Sequence, residues 1–389
     1  MSVLLLIVGL LLFIGLVVVH EWGHFIVARR NGVVVEEFGI FFPPRLFKHK
    51  TKGGWNFTIN ALPLGGFVKL KGEHDSDTAP GTYGAASVWV KTKIMAAGVV
   101  MNLIVGMVLL MIVALVGMPQ LVPNQFTVKS DTTVSRSEVI LSYIEPGSPA
   151  AKAGLQATDK IESIGAPHQT TAVISTPDQL KAATKRFAGQ QVTIAYQRQG
   201  AQHAATTTLL TNKAVADSRK TNNPKGQLGV VPNSYTLQRS TWSAPIVAIG
   251  LTGQFTALTF QGLGHALAGL GSIIAGSVTG NTHARQNGQT SASEQVSGPV
   301  GIYVILQDGS LLGYQFILMI IAIISLTLAI MNILPIPALD GGRLWLTLFT
   351  RGIKKPLSPR REELINGAGF VFLLGLIVLI TLVDVHRFF

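Results

Sequence analysis

Cysteine is absent from the 389 residues. Disulfides, thiolate metal ligands and cysteine nucleophiles are thereby excluded, so any transition metal has to be held by His, carboxylate or water. Charge is also scarce, at 13% of residues against 48% apolar. A soluble protein usually carries roughly a quarter of its residues charged, so this composition points to a chain that crosses a membrane several times. Acids are the rarer sign, 19 against 31 Lys and Arg, for a net charge of +12. The excess does not read as nucleic-acid binding. Its basic residues flank apolar segments, and no interleaving of aromatic and basic residues marks a base-stacking groove.

Four apolar segments are long enough to span: Val3 to Ala28, Ile94 to Met118, Phe316 to about Ala338, and Gly367 to Val383. The first lacks a basic start and a small-residue cleavage site, and runs on until Arg29 and Arg30. It therefore reads as an uncleaved membrane helix. Ten Lys or Arg fall between Arg29 and Lys93 and six between Arg343 and Arg361, which assigns both loops to the cytoplasm and the region from Pro119 to about Tyr314 to the outside. A fifth stretch, Thr241 to Asn281, is free of charge but rich in Gly, with Gln254, Gln261 and His265. A crossing there would put Asp340 on the opposite side from His24, so a helix along the outer membrane surface is preferred.

Inside the first apolar segment stands His20-Glu21-Trp22-Gly23-His24, an H-E-x-x-H run. At helical spacing the two imidazoles share a face and can reach one metal ion, with Glu21 beside them as a general base. Ionisable side chains at membrane depth are costly and read as functional. Two histidines do not complete a catalytic zinc site, which normally takes three protein ligands. Far along the chain, Asn332-Ile-Leu-Pro335-Ile-Pro337-Ala-Leu-Asp340-Gly-Gly-Arg343 closes the third segment. Its prolines break the helix, and the topology brings Asp340 to the same side as His24. Standing alone, Asp340 reads equally as a helix-end acid paired with Arg343.

Together the two runs resemble the site-2 protease family of intramembrane zinc metalloproteases, in its bacterial RseP-like form with one PDZ domain. Leu62-Pro63-Leu64-Gly65-Gly66-Phe67-Val68-Lys69, Ala97-Gly98 with Asn102, and Ser297-Gly298-Pro299-Val300-Gly301 match in order. The run Glu145-Pro146-Gly147-Ser148 through Leu155, with Asp159-Lys160-Ile161, looks like the ligand-loop and helix region of a PDZ domain. Three positions depart from the resembled pattern: Thr158 replaces a usual Gly, and Phe41 and Pro43 replace a Gly-x-Gly element.

The resemblance implies a polytopic α-helical membrane protein with four transmembrane helices, a membrane-associated β-hairpin and an inserted extracytoplasmic PDZ-like α/β domain. The expected order is a first membrane helix over 1–28; a cytoplasmic loop over 29–93 with a re-entrant hairpin formed by Trp55 to Asn60 and Phe67 to Lys71; and a second membrane helix over 94–118. An extracytoplasmic region follows over 119–240, with the PDZ-like domain at about 137–212, and then an amphipathic membrane-surface region over 241–314. The third membrane helix covers 315–343, a cytoplasmic loop 344–366 and the fourth helix 367–385.

It also implies His20, His24 and Asp340 as Zn2+ ligands, Glu21 as general base, and Asn332 as a group holding substrate or transition-state oxygen. Gly65, Gly66, Phe67, Asn332, Pro335 and Pro337 would bind substrate, the hairpin by strand addition. Expected partners are single-span membrane proteins such as anti-sigma factors or remnant signal peptides, a peptide or ectodomain ligand of the PDZ-like domain, and the lipid bilayer of a bacterial cell. No nucleic acid is expected. Two rival readings are a silent zinc-containing scaffold with a peptide-sensing PDZ domain and a metal transporter. Glu21 argues against the first, since a structural site needs no base, and the lack of an inverted repeat argues against the second.

Overall fold

The computed structural model describes residues 2–74, 77–220, 224–283, 286–287, 298–353 and 358–388; Ser297 of the Ser-Gly-Pro run lies outside them. The chain forms two compact units. A helical unit takes residues 6–111, 248–306 and 318–389, and a sheet unit takes 1–5, 112–247 and 307–317.

Five helices are long and apolar enough to cross a membrane by length and composition. They are α1 (Ser2–Arg30), α2 (Val88–Val116), α6 (Ala244–Thr279), α8 (Tyr314–Ile333) and α10 (Pro359–Phe388). Apolar residues surround α1 on every side, and Val3, Leu4 and Leu11 are exposed. Such a helix has no polar face to turn to water, and the protein is a multi-pass membrane protein.

After α1 come β1 (Val35–Lys50) and β2 (Asn56–Leu70), an antiparallel pair in which each strand doubles back. Phe38 lies opposite Val68 on one side and Phe57 on the other, while Lys48 meets Thr58. The expected hairpin over 55–71 is therefore corrected: its two arms do not pair with each other, because Glu37 to Ile40 runs between them. Only the local alternation was available to the sequence reading, and the inserted segment is contributed from the N-terminal side. Phe38 and Trp55 pack edge to face against Phe25 of α1 and tie this sheet to it.

The sheet unit carries β3 (Met118–Pro119), β4 (Thr133–Ile144), α3 (Pro149–Lys152), β5 (Lys160–Gly165), β6 (Ala172–Val173), α4 (Pro177–Arg186), β7 (Gln191–Arg198), β8 (Ala201–Thr208), α5 (Asn212–Ser218) and β9 (Val230–Arg239). The strand order is β3-β9-β4-β5-β7-β8, with β6 on β5, every pair antiparallel. Val192, Ile194 and Tyr196 point inward along β7 as their alternation predicts, onto Val139, Leu141, Ile164, Leu180 and Phe187. A capping box opens α4, where Thr176 accepts from the Gln179 amide and the Gln179 side chain accepts from the Thr176 amide. The sheet extends past the segment 137–212, since β9 pairs along β4 from Thr133↔Arg239 to Ile144↔Val230. At two of the three departures from glycine the backbone keeps the left-handed form, φ 71° at Thr158 and 66° at Phe41, a conformation uncommon for any residue with a side chain; Pro43 does not share it.

The third apolar helix, α8, stops at Ile333, and α9 (Asp340–Gly352) starts where Asp340 stands. The expected loop over 344–366 is thus helical as far as Gly352. It buries Leu344, Thr347 and Thr350 on one face and exposes Trp345 and Phe349 on the other. Helix α7 (Pro299–Leu312) precedes α8.

Candidate active site

Helix α1 places His20 and His24 one turn apart, both buried, with Nε2 atoms 3.2 Å from each other. Asp340 Oδ2 stands 3.0 Å from each of them, although 316 residues separate it from His24. Tetrahedral zinc with N and O ligands at about 2.0–2.1 Å needs ligand atoms roughly 3.3 Å apart. The three atoms meet that spacing, and a set of two imidazole nitrogens and a carboxylate oxygen suits zinc. Among the described residues this is the one group of three or more His or acidic side chains close enough to share an ion.

The turn before α9 explains how Asp340 arrives. Pro335 and Pro337 offer no N–H to continue α8, and Ala338 takes φ 75°. The chain then folds so tightly over the start of α9 that a Cβ on Gly341 would lie 2.3 Å from the Leu334 carbonyl oxygen, and one on Gly342 2.1 Å from that of Ile336. The two glycines after Asp340 are required by this close approach. The alternative partner for Asp340 is removed: Arg343 turns to Glu73, 3.2 Å from its carbonyl oxygen and 3.6 Å from its carboxylate.

Helix α2 forms the other wall. The His24 Nδ1 proton goes to the Ile94 carbonyl oxygen at 2.7 Å, which leaves Nε2 as the nitrogen with a lone pair to offer. A Cβ on Gly98 would stand 2.3 Å from His24 Nε2 and 2.5 Å from His20 Cε1, so only glycine admits both rings. Asn102 comes next, its Nδ2 3.3 Å from His20 Nδ1. The sequence reading matched Gly98 and Asn102 without giving them a role. Their signal is the spacing of 94, 98 and 102, one face of α2 set against 20 and 24 on α1.

Glu21 is half-buried, beside β2: its Cγ lies 2.9 Å from where a Gly66 Cβ would be. A narrow pocket of about 10 Å³ opens here, lined by Ile14, Val17, Glu21, Ile40, Gly65 and Gly66 among others. Phe67 covers Gly39 and stacks on Phe42. Asn332 sits half-buried in the last turn of α8, and Pro335 and Pro337 are exposed. Among the described residues no hydrogen bond joins Asn332 to His20, His24 or Asp340, so the structure brings together the three ligand candidates and leaves Asn332 near them only by chain position.

Residues 8–376 match the model of peptidase family M50. The chain belongs to that family. A Clostridium perfringens protein whose name assigns it provisionally to the zinc metalloproteases is 28% identical, the match covering 98% of each chain. The zinc metalloprotease RasP of Shouchella clausii is 25% identical over 97% of this chain and 98% of its own, and that of Bacillus licheniformis 25% over 98% of each. This M50 peptidase is a metalloprotease, and zinc is the metal that its relatives' names carry.

Proposed function

We propose that this M50 peptidase is an intramembrane zinc endopeptidase that cleaves within transmembrane segments of single-span membrane proteins. The observation that carries the reading is the convergence of His20, His24 and Asp340 at 3.0–3.2 Å next to Glu21, on a helix whose remaining surface is apolar. The convergence also bears on topology. Asp340 reaches the His24 end only if the chain between α2 and α8 crosses the membrane an even number of times. That favours four spans, with α6 along the outer surface, because α7 has 14 residues, about 21 Å of helix, and is too short to restore the count.

When bound, zinc supplies Lewis acidity to the scissile carbonyl and to the attacking water. His20, His24 and Asp340 hold it; Glu21 accepts the proton of the water and passes it to the leaving amine. The Asn332 amide, in the same segment as Asp340, donates to the developing oxyanion. Substrate enters unwound, since a helix keeps its backbone groups to itself. The edge of β2 at Gly65, Gly66 and Phe67, beside Glu21, takes it as an added strand, and Pro335 and Pro337 keep the segment before Asp340 free of helix. On the rule that basic loops stay inside, this site faces the cytoplasm and the PDZ-like domain is extracytoplasmic, where it takes a peptide or ectodomain as ligand.

Glu21→Gln in the full-length protein should lower cleavage of a single-span substrate in proteoliposomes by about 10²–10⁴-fold while zinc stays bound. Undiminished cleavage would overturn the reading.

A further inference from the structure

We infer that Asn102 is a positioning residue of the metal centre: its side-chain carbonyl accepts the Nδ1 proton of His20 and so presents Nε2 to the ion. The inference rests on the zinc site proposed above. Asn102 is buried at 1% exposure, with Nδ2 facing His20 Nδ1 at 3.3 Å and Oδ1 buried without a hydrogen-bond partner among the described residues. Its backbone oxygen accepts from Ser325 Oγ at 2.7 Å, which fixes that turn of α2.

Two observations then combine. His20 Nε2 already points at His24 and Asp340. A neutral imidazole that offers Nε2 to a metal carries its proton on Nδ1, and that proton needs an oxygen. Turning the Asn102 amide about its Cβ–Cγ bond puts Oδ1 where Nδ2 stands, which supplies the oxygen and satisfies the orphaned carbonyl in one rotation. His24 is held by the same device, its Nδ1 donating to the Ile94 carbonyl oxygen at 2.7 Å. One helix therefore carries the two imidazole ligands, and the facing stripe of Ile94, Gly98 and Asn102 sets their tautomers and leaves room for their rings.

The test compares the purified full-length protein with Asn102→Leu and Asn102→Asp, reading zinc affinity by competition with a chromophoric chelator and the unfolding midpoint of the metal-free protein. Asn102→Leu, which removes the acceptor, should weaken zinc binding 10–100-fold. Asn102→Asp keeps an acceptor in either orientation and should bind zinc at least as tightly as the parent, with metal-free midpoints alike in all three. Equal affinity in the leucine variant, or equal loss in both variants, would overturn the role of Asn102. Failure of the parent itself to bind zinc would instead remove the site on which the inference rests.

Discussion

In the sheet unit, Val139, Leu141, Ile164, Val192 and Ile194 are buried while Gln202 and Thr206 face outward, the arrangement of a protein core in water. Along α1 the order is reversed, with Val3, Leu4 and Leu11 more than 60% exposed and His20 and His24 under 9%. Two carboxylates, Asp159 buried and Asp340 half-buried, sharpen the contrast. Asp159 is satisfied within the protein, accepting from Arg198 at 2.7 Å through both oxygens and from the Gln156 amide at 2.8 Å. Asp340 faces two imidazole nitrogens, and among the described residues no Lys or Arg pairs with it. A buried acid paired with Arg is structural, whereas an acid grouped with two histidine nitrogens has the spacing of the cation site we propose.

That comparison can be broken first at Gly98. Gly98→Ala puts a methyl group inside contact distance of both histidine rings; peptide cleavage should fall by 100-fold or more, with zinc content falling in parallel and thermal unfolding of the sheet unit unchanged. The reciprocal change is Arg198→Met, which leaves Asp159 buried without its partner. It should destabilise the sheet unit by about 3 kcal/mol, read from denaturant unfolding, with zinc content unaffected.

The smallest effect is one of pH. Desolvation pushes the Asp131 carboxyl up, but hydrogen bonds from the hydroxyls and amides of Ser243 and Thr241 outweigh it and hold the carboxyl below the usual carboxylate range. A depressed pKa means stability that is complete above the ordinary carboxylate pKa and is lost as pH falls toward the depressed value. Asp131→Asn should flatten that acid limb in pH-dependent unfolding.

Much of the site was legible because its chemistry is local in sequence. The histidine pair is a helical repeat, and Asp340 stands beside prolines that announce a break. The inward face of β7 was readable for the same reason, as a period of two. What escaped the reading was set by distant chain. Glu37 to Ile40 separates the two arms of the expected hairpin, and β9 returns to the sheet after α5; neither pairing has a local signature. Helix α9 was hidden by Gly341 and Gly342, which weaken a helix start and are present because the preceding turn crowds them. Asn102 carried a matching residue but no role until the orphaned carbonyl and the ring nitrogen of His20 stood side by side.

The central claim is that His20, His24 and Asp340 hold one ion together. X-ray absorption at the zinc edge on the purified full-length protein tests it, with Asp340→Ala measured alongside. The account predicts one zinc per chain with two imidazole ligands and an oxygen shell at about 2.0–2.1 Å, and a zinc affinity at least tenfold weaker in Asp340→Ala. A zinc shell without imidazole, or an Asp340→Ala variant that holds zinc as tightly in the same shell, would contradict it.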